Sequence, residues 1–308
     1  MGAAVEAQCD ASATWLGSAA GAHPDVWQRP SNLSGWTIGD LTRHLVNSVS
    51  VVTAHPDPTG SPGKRASAMA PPGTAPAEKA ELTAVDFVRG PDGLPDRSEA
   101  NRFGPAAEQG GGAEQGGAAE RSAFGYGSGA EQGGDAVARL PAELIAAGRA
   151  AGAVAREHPE AVITSRHGAI RLGDFLATRC VEVVVHTRDL ARSLEPVVGT
   201  GQYPPFDDDA TRAAVTLLLD ALAAAAPGAA VEVRVPPFAA TQCLTGPRHT
   251  RGTPSNTVET DPGTWLDLAS GRSTWNTALT EHRVVVSGVR ADLSQHLPVM
   301  APCGSEIQ

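Results

Sequence analysis

The chain has 308 residues, a length that predicts about two domains. Hydrophobic residues make up 41% of it but aromatics only 4%, so a sizeable core has to be built from Ala, Val and Leu. The net charge is −10, and no basic stripe follows a phosphate backbone, which argues against a nucleic-acid partner.

Residues 1–21 carry no cationic stretch, and Glu6 and Asp10 stand where a leader peptide would be apolar. The most apolar stretch, 215–226, is short and contains Asp220, so no membrane span is expected. Cys9, Cys180, Cys243 and Cys303 are far apart and form no C-x-x-C pair. Scattered in this way they read as reduced thiols, which places the protein in the cytoplasm.

In chain order, residues 3–20 predict an alanine-rich helix with Val5, Trp15 and Leu16 as its larger apolar residues. A second helix opens at Thr37, where Asp40 completes a variant of the capping box, and Ile38, Leu41, Leu45 and Val49 recur at helical spacing. Residues 56–135 are rich in Gly and Pro, and Ala-Glu-Gln-Gly-Gly begins at Ala107, Ala113 and Ala130. Such a segment buries too little apolar surface to offset its ordering entropy and is expected to be a disordered insert, apart from a helical turn at 82–88. A third helix is expected over 136–157 and a fourth over 172–194, stopped by Pro196. Four helices with one long connection fit a bundle.

Beyond Pro204 the texture changes. A helix at 207–225 precedes strands at 230–235, 238–244 and 256–260. Asp261 caps a helix with Pro262 at its first position. A helix at 275–282, a strand at 283–287 and a short helix at 291–297 complete a small α+β domain.

One pattern carries chemistry. Glu182 and His186 are four apart in Val181-Glu182-Val183-Val184-Val185-His186. On a helix their Cβ atoms lie about 6 Å apart, within chelating reach. On a strand the separation is about 13 Å, and the three valines favour strand locally. The unbroken stretch from Asp174 to Glu195 favours the helix. Phe175, Glu182 and His186 then share its apolar face. A carboxylate there requires a partner. Arg179 or His186 would serve in a structural pair. His44 lies beside the buried stripe of the second helix and offers an imidazole inward, which a hydrogen-bonded core histidine would also do. Two imidazoles and one carboxylate form a set used by catalytic zinc and non-haem iron. Asp189 would orient His186 or replace a ligand.

Gly35-Trp36-Thr37-Ile38-Gly39-Asp40-Leu41-Thr42-Arg43-His44-Leu45 resembles the first metal motif of the mycothiol-dependent maleylpyruvate isomerase family. Arg179-Cys180-Val181-Glu182-Val183-Val184-Val185-His186-Thr187-Arg188-Asp189-Leu190 resembles its second. Residues 257–298, with Glu259-Thr260-Asp261-Pro262-Gly263-Thr264-Trp265-Leu266, resemble the sterol-carrier fold that follows in this family. The resemblance implies a DinB-like four-helix metal-binding bundle over 1–200, interrupted by the insert at 56–135, and a sterol-carrier-like α+β domain over 205–303. It also implies a divalent metal, zinc first, on His44, Glu182 and His186. The thiol cosubstrate would be mycothiol, and the activity that of an isomerase or a thiol transferase on maleylpyruvate-like or other electrophilic small molecules. The family uses an arginine of the second domain for its anionic substrate, and Arg290 is its best match. A surface pair with Asp292 is the other reading of that residue. Arg248, His249 and Arg251 form a loop cluster that either binds the thiol's sugar or carboxylate or is merely solvated. The glycine-rich insert departs from the family pattern. The second domain also reads like a bacterial sterol-carrier branch, so a carrier of apolar ligands with a structural or vestigial metal is the competing expectation. A metal-binding regulatory or stress protein without turnover is the third.

Overall fold

The structure, a computed structural model, describes residues 1–54, 82–90, 134–165, 168–246 and 256–300. Among the described residues the chain divides into two units: 1–83 with 134–210, and 84–90 with 211–300.

The first unit is built on four helices: α1 (Gly2–Ala22), α2 (Ile38–Ser50), α3 (Leu140–Glu157) and α4 (Leu172–Val198). α1 buries Val5, Cys9 and Leu16, while Trp15 is only half-buried. Small residues let α1 and α3 approach closely. A Cβ on Gly148 of α3 would come within 2.7 Å of the Cys9 Cβ. Thr37 caps α2 as the sequence predicts. Its Oγ1 accepts from Asp40 N–H at 3.1 Å, and Asp40 Oδ2 accepts from Thr37 N–H at 3.0 Å. Ile38, Leu41, Leu45 and Val49 are all fully buried.

Two features of this unit differ from expectation. α4 does not stop at Pro196 but runs through it to Val198, ending where Gly199 adopts φ 94°. A proline in the last turn forfeits one helical hydrogen bond, and Gly199 N–H still closes onto Glu195 O at 3.0 Å. Between α3 and α4 lies an antiparallel hairpin, β1 (Val162–Ser165) and β2 (Gly168–Arg171), which is not among the elements expected from the sequence. It buries Ile163 and Ile170, and Leu82 bridges onto Ile170. Of the expected 56–135 insert, 56–81 and 91–133 lie outside the described residues. A helical turn does form at Ala84–Arg89, where one was expected over 82–88.

The second unit contains α5 (Asp208–Ala225) from residue 211 onward and a four-stranded sheet in the order β4-β3-β5-β6. Its strands are β3 (Val231–Val235), β4 (Ala239–Cys243), β5 (Thr257–Thr260) and β6 (Val284–Ser287). β3 and β5 pair in parallel and the outer pairs are antiparallel. Between β5 and β6 run α6 (Pro262–Ala269) and α7 (Trp275–Thr280). Asp261 caps α6, its Oδ1 accepting from Thr264 N–H at 2.9 Å. Trp265 is buried, and its indole N–H donates to Val215 O at 3.3 Å. The short helix expected at 291–297 is absent. Asp292 Oδ1 accepts from Ser294 N–H at 2.9 Å, so the segment forms a side-chain-capped turn instead.

Candidate functional site

α2 and α4 bring the predicted residues together. The stripe Ile38-Leu41-Leu45 fixes which side of α2 is buried, and His44 follows it inward at 5% exposure. α4 carries Glu182 and His186 one turn apart, as the helical reading of the three valines requires. Glu182 Oε2 lies 3.5 Å from His44 Nε2 and 3.3 Å from His186 Nε2. One ligand atom from each of the three residues falls within 4.8 Å of the others.

Burial pushes the Glu182 pKa up. The imidazoles of His186 and His44, with the Arg179 guanidinium, outweigh that and hold the carboxyl well below its usual range. The Glu182 side chain is 24% exposed, yet its Oε2 is buried and has no hydrogen-bond partner. The flanking imidazole nitrogens sit at ion-pair rather than hydrogen-bond geometry. A buried anionic oxygen left in this state is costly unless a cation completes it. Two donors of one tetrahedral ion with bonds of about 2.05 Å stand roughly 3.4 Å apart, close to both Glu–His separations. Two imidazoles and one carboxylate at these Glu–His separations are a donor set that a divalent metal ion takes.

Around these three stand residues that tie down their rings. Asp189, wholly buried, faces His186 Nδ1 at 3.0 Å, so its position is that of an orienting group. The His44 ring meets His186 edge-on at 5.0 Å between centroids and Trp36 edge-on at 5.3 Å. Arg179 is buried, with its guanidinium over the Phe175 ring at 4.7 Å and Nη1 donating to Ser48 O at 3.3 Å. Asn32, which sequence reasoning did not select, donates from Nδ2 to Asp189 Oδ1 at 3.0 Å. No spacing signal announces it, because its partner is 157 residues away.

In the second unit Arg290 is exposed, and its backbone N–H donates to the buried Asn256 Oδ1 at 3.1 Å. Arg248, His249 and Arg251 lie outside the described residues.

Comparison with known proteins places the chain. A family model described as the mycothiol maleylpyruvate isomerase N-terminal domain matches residues 5–191, more than half of the sequence. The chain belongs to the mycothiol maleylpyruvate isomerase family. A second model, described as a bacterial SCP ortholog, matches residues 207–299. The fold is accordingly the family's DinB-like helical bundle followed by a sterol-carrier-like α+β region. Among solved structures, a mutant of a mycothiol-dependent maleylpyruvate isomerase is similar at 14% identity and a TM-score of 0.34, covering 81% of this chain and 91% of that one. No curated protein gives a significant match. No described helix of this family member is long and apolar enough to cross a membrane.

Proposed function

We propose that the protein is a metal-dependent, mycothiol-dependent enzyme, an isomerase or thiol transferase acting on maleylpyruvate-like or other electrophilic small molecules. The observation that carries this reading is the convergence of His44, Glu182 and His186 around a buried carboxylate oxygen that has no hydrogen-bond partner, in a chain of this family. Bound there, a divalent ion would supply the Lewis acidity that keeps a coordinated thiol ionised at neutral pH. Zinc is the ion we assign, and the cytoplasm the compartment. Glu182 stays anionic and fixes the charge of the site, while His44 and His186 present Nε2 atoms toward it. Arg290 is assigned to the anionic group of the substrate, and Arg248 and Arg251 to the thiol. In domain terms the metal-binding bundle is assigned to 1–200 and the sterol-carrier-like domain to 205–303.

The test is thiol-dependent conversion of maleylpyruvate, or conjugation of a general electrophile, by wild type and His44→Ala. Metal content should fall sharply in the variant and turnover should fall with it. Equal activity in both would overturn the reading. The match of residues 207–299 to a bacterial sterol-carrier model favours one rival, an apolar-ligand carrier. Apolar-ligand binding untouched by His44→Ala, with no turnover in either protein, would select that rival.

A further inference from the structure

Arg290 stands just past the end of β6, and its side chain is exposed. Among the described residues its guanidinium has no ion pair and no hydrogen bond. Asp292, the partner that a surface pair would use, instead accepts from Ser294 N–H on Oδ1 at 2.9 Å. The cationic head is thus left for an anion from outside this unit's own side chains. Its main chain and its head are nevertheless both held, by two residues distant in sequence.

Asn256 holds the main chain. It is buried at the bend ahead of β5, accepts from Arg290 N–H on Oδ1 at 3.1 Å, and donates from Nδ2 to Ala230 O at 2.9 Å. With both ends of the amide engaged, its orientation is fixed. The Asn256 main chain is anchored in turn, since its O accepts from Glu232 N–H of β3 at 3.1 Å. Gly246 seats the head. A Cβ there would lie 3.1 Å from Arg290 Nη1 and 2.8 Å from the Ala230 Cβ, so the missing side chain is the room in which the guanidinium lies. Ala230 is the common floor of both contacts. Its own N–H is tied to Cys243 O at 3.1 Å and Leu244 O at 3.0 Å.

We propose that Asn256 and Gly246 are positioning residues of a carboxylate subsite: they hold the Arg290 guanidinium where a small carboxylate docks on it. A guanidinium meets a carboxylate best through two parallel N–H bonds, so its plane has to be set, which a lysine ammonium would not need. A long side chain also loses rotamer freedom when an anion immobilises it. Pinning its base through Asn256 and laying its head against Gly246 removes part of that loss before the anion arrives. The anchorage runs through Ala230 to β3, so the subsite is built on the sheet rather than on the exposed segment that carries Arg290. Its use by the substrate rests on the assignment of Arg290 above, and the hold of Asn256 and Gly246 on Arg290 does not.

The experiment reads the hold and the docking separately, on the full-length protein without thiol. Hydrogen exchange of the Arg290 backbone N–H reports the bond to Asn256. The NMR shift of Arg290 Nε–H during titration with maleate, a small dicarboxylate, reports docking. Wild type should show a protected amide and a saturable Nε–H shift. Asn256→Ala should exchange that amide several-fold faster and raise the maleate Kd, by up to about fivefold for a contact made by an exposed arginine. Asn256→Asp keeps the acceptor for Arg290 N–H but loses the donor to Ala230 O, and should keep the amide protected. Loss of protection there would show that Asn256 serves the sheet alone, and this variant decides the matter if Asn256→Ala does not fold. Gly246→Ala should raise the maleate Kd with the Arg290 amide still protected. An unprotected Arg290 amide in wild type, or an Asn256→Ala protein matching wild type in both readouts, would overturn the Asn256 arm. An unchanged Kd in Gly246→Ala would overturn the other. A wild-type protein whose Arg290 Nε–H ignores maleate, while amide exchange changes as expected, would instead overturn the assignment of Arg290 to the substrate and leave the hold of Asn256 on its main chain standing.

Discussion

The proposed role of Arg290 and the burial of the thiols each yield a test at single residues. Arg290→Ala should leave metal content intact, because the guanidinium lies outside the triad. Its loss should appear as a lower kcat/KM for an anionic substrate, on the order of 0.2–1 kcal/mol for a charge contact made by an exposed side chain. Equal kcat/KM for charged and neutral electrophiles in wild type and variant would refute the assignment. The thiols give a pH dependence. Burial pushes Cys180 up to about 12, Cys243 up to about 11, and Cys9 higher still. An unfolded chain ionises these groups near their ordinary value of 9.0, whereas the fold keeps them neutral. Their contribution is therefore fully present below pH 9 and is lost as pH rises from there toward 12. Melting temperature should decline across that window, and a Cys9→Ala/Cys180→Ala double variant should decline less steeply.

At the scale of elements, close packing and capping make two further predictions. Gly→Ala inside a helix ordinarily stabilises by about 1 kcal/mol. Gly148→Ala should do the reverse, because the new Cβ would meet the Cys9 Cβ at 2.7 Å and force α1 and α3 apart. Urea denaturation should show a lower midpoint with an unchanged slope, and a raised midpoint would refute the packing argument. Asp40→Ala removes one half of the α2 capping box and should cost about 1 kcal/mol by the same measurement. α2 was legible because its apolar residues recur with a helical period, and α4 because nothing breaks the stretch from Asp174 to Glu195 despite its three valines. The hairpin at Val162–Arg171 left a trace in its β-branched Val162-Ile163-Thr164 and in Gly168, but four-residue strands are too short for alternation to stand out. Pro196 misled because its penalty depends on how many helical bonds follow it. Asp292 misled because a side chain that bonds its neighbouring backbone competes with a helix. Asn32 was illegible: it sits in a loop, and its role exists only through Asp189.

For the whole molecule, the origin of each group in the triad and its surround matters. Arg179, Glu182, His186, Asp189 and Ser193 all ride on α4, so the pitch of one helix sets their mutual spacing. His44 comes from α2, and Asn32 and Trp36 from the loop that leads into it. The triad is therefore set by one helix that fixes the Glu182–His186 spacing and a second that brings His44 to it. A substitution that slides α2 along α4, such as trimming buried Leu45, changes the gap from His44 to Glu182 and leaves the Glu182–His186 pair as it was. On the proposed metal reading, the grip on a cation would be tuned from the hydrophobic seam between two helices, without replacing any atom that would touch the ion.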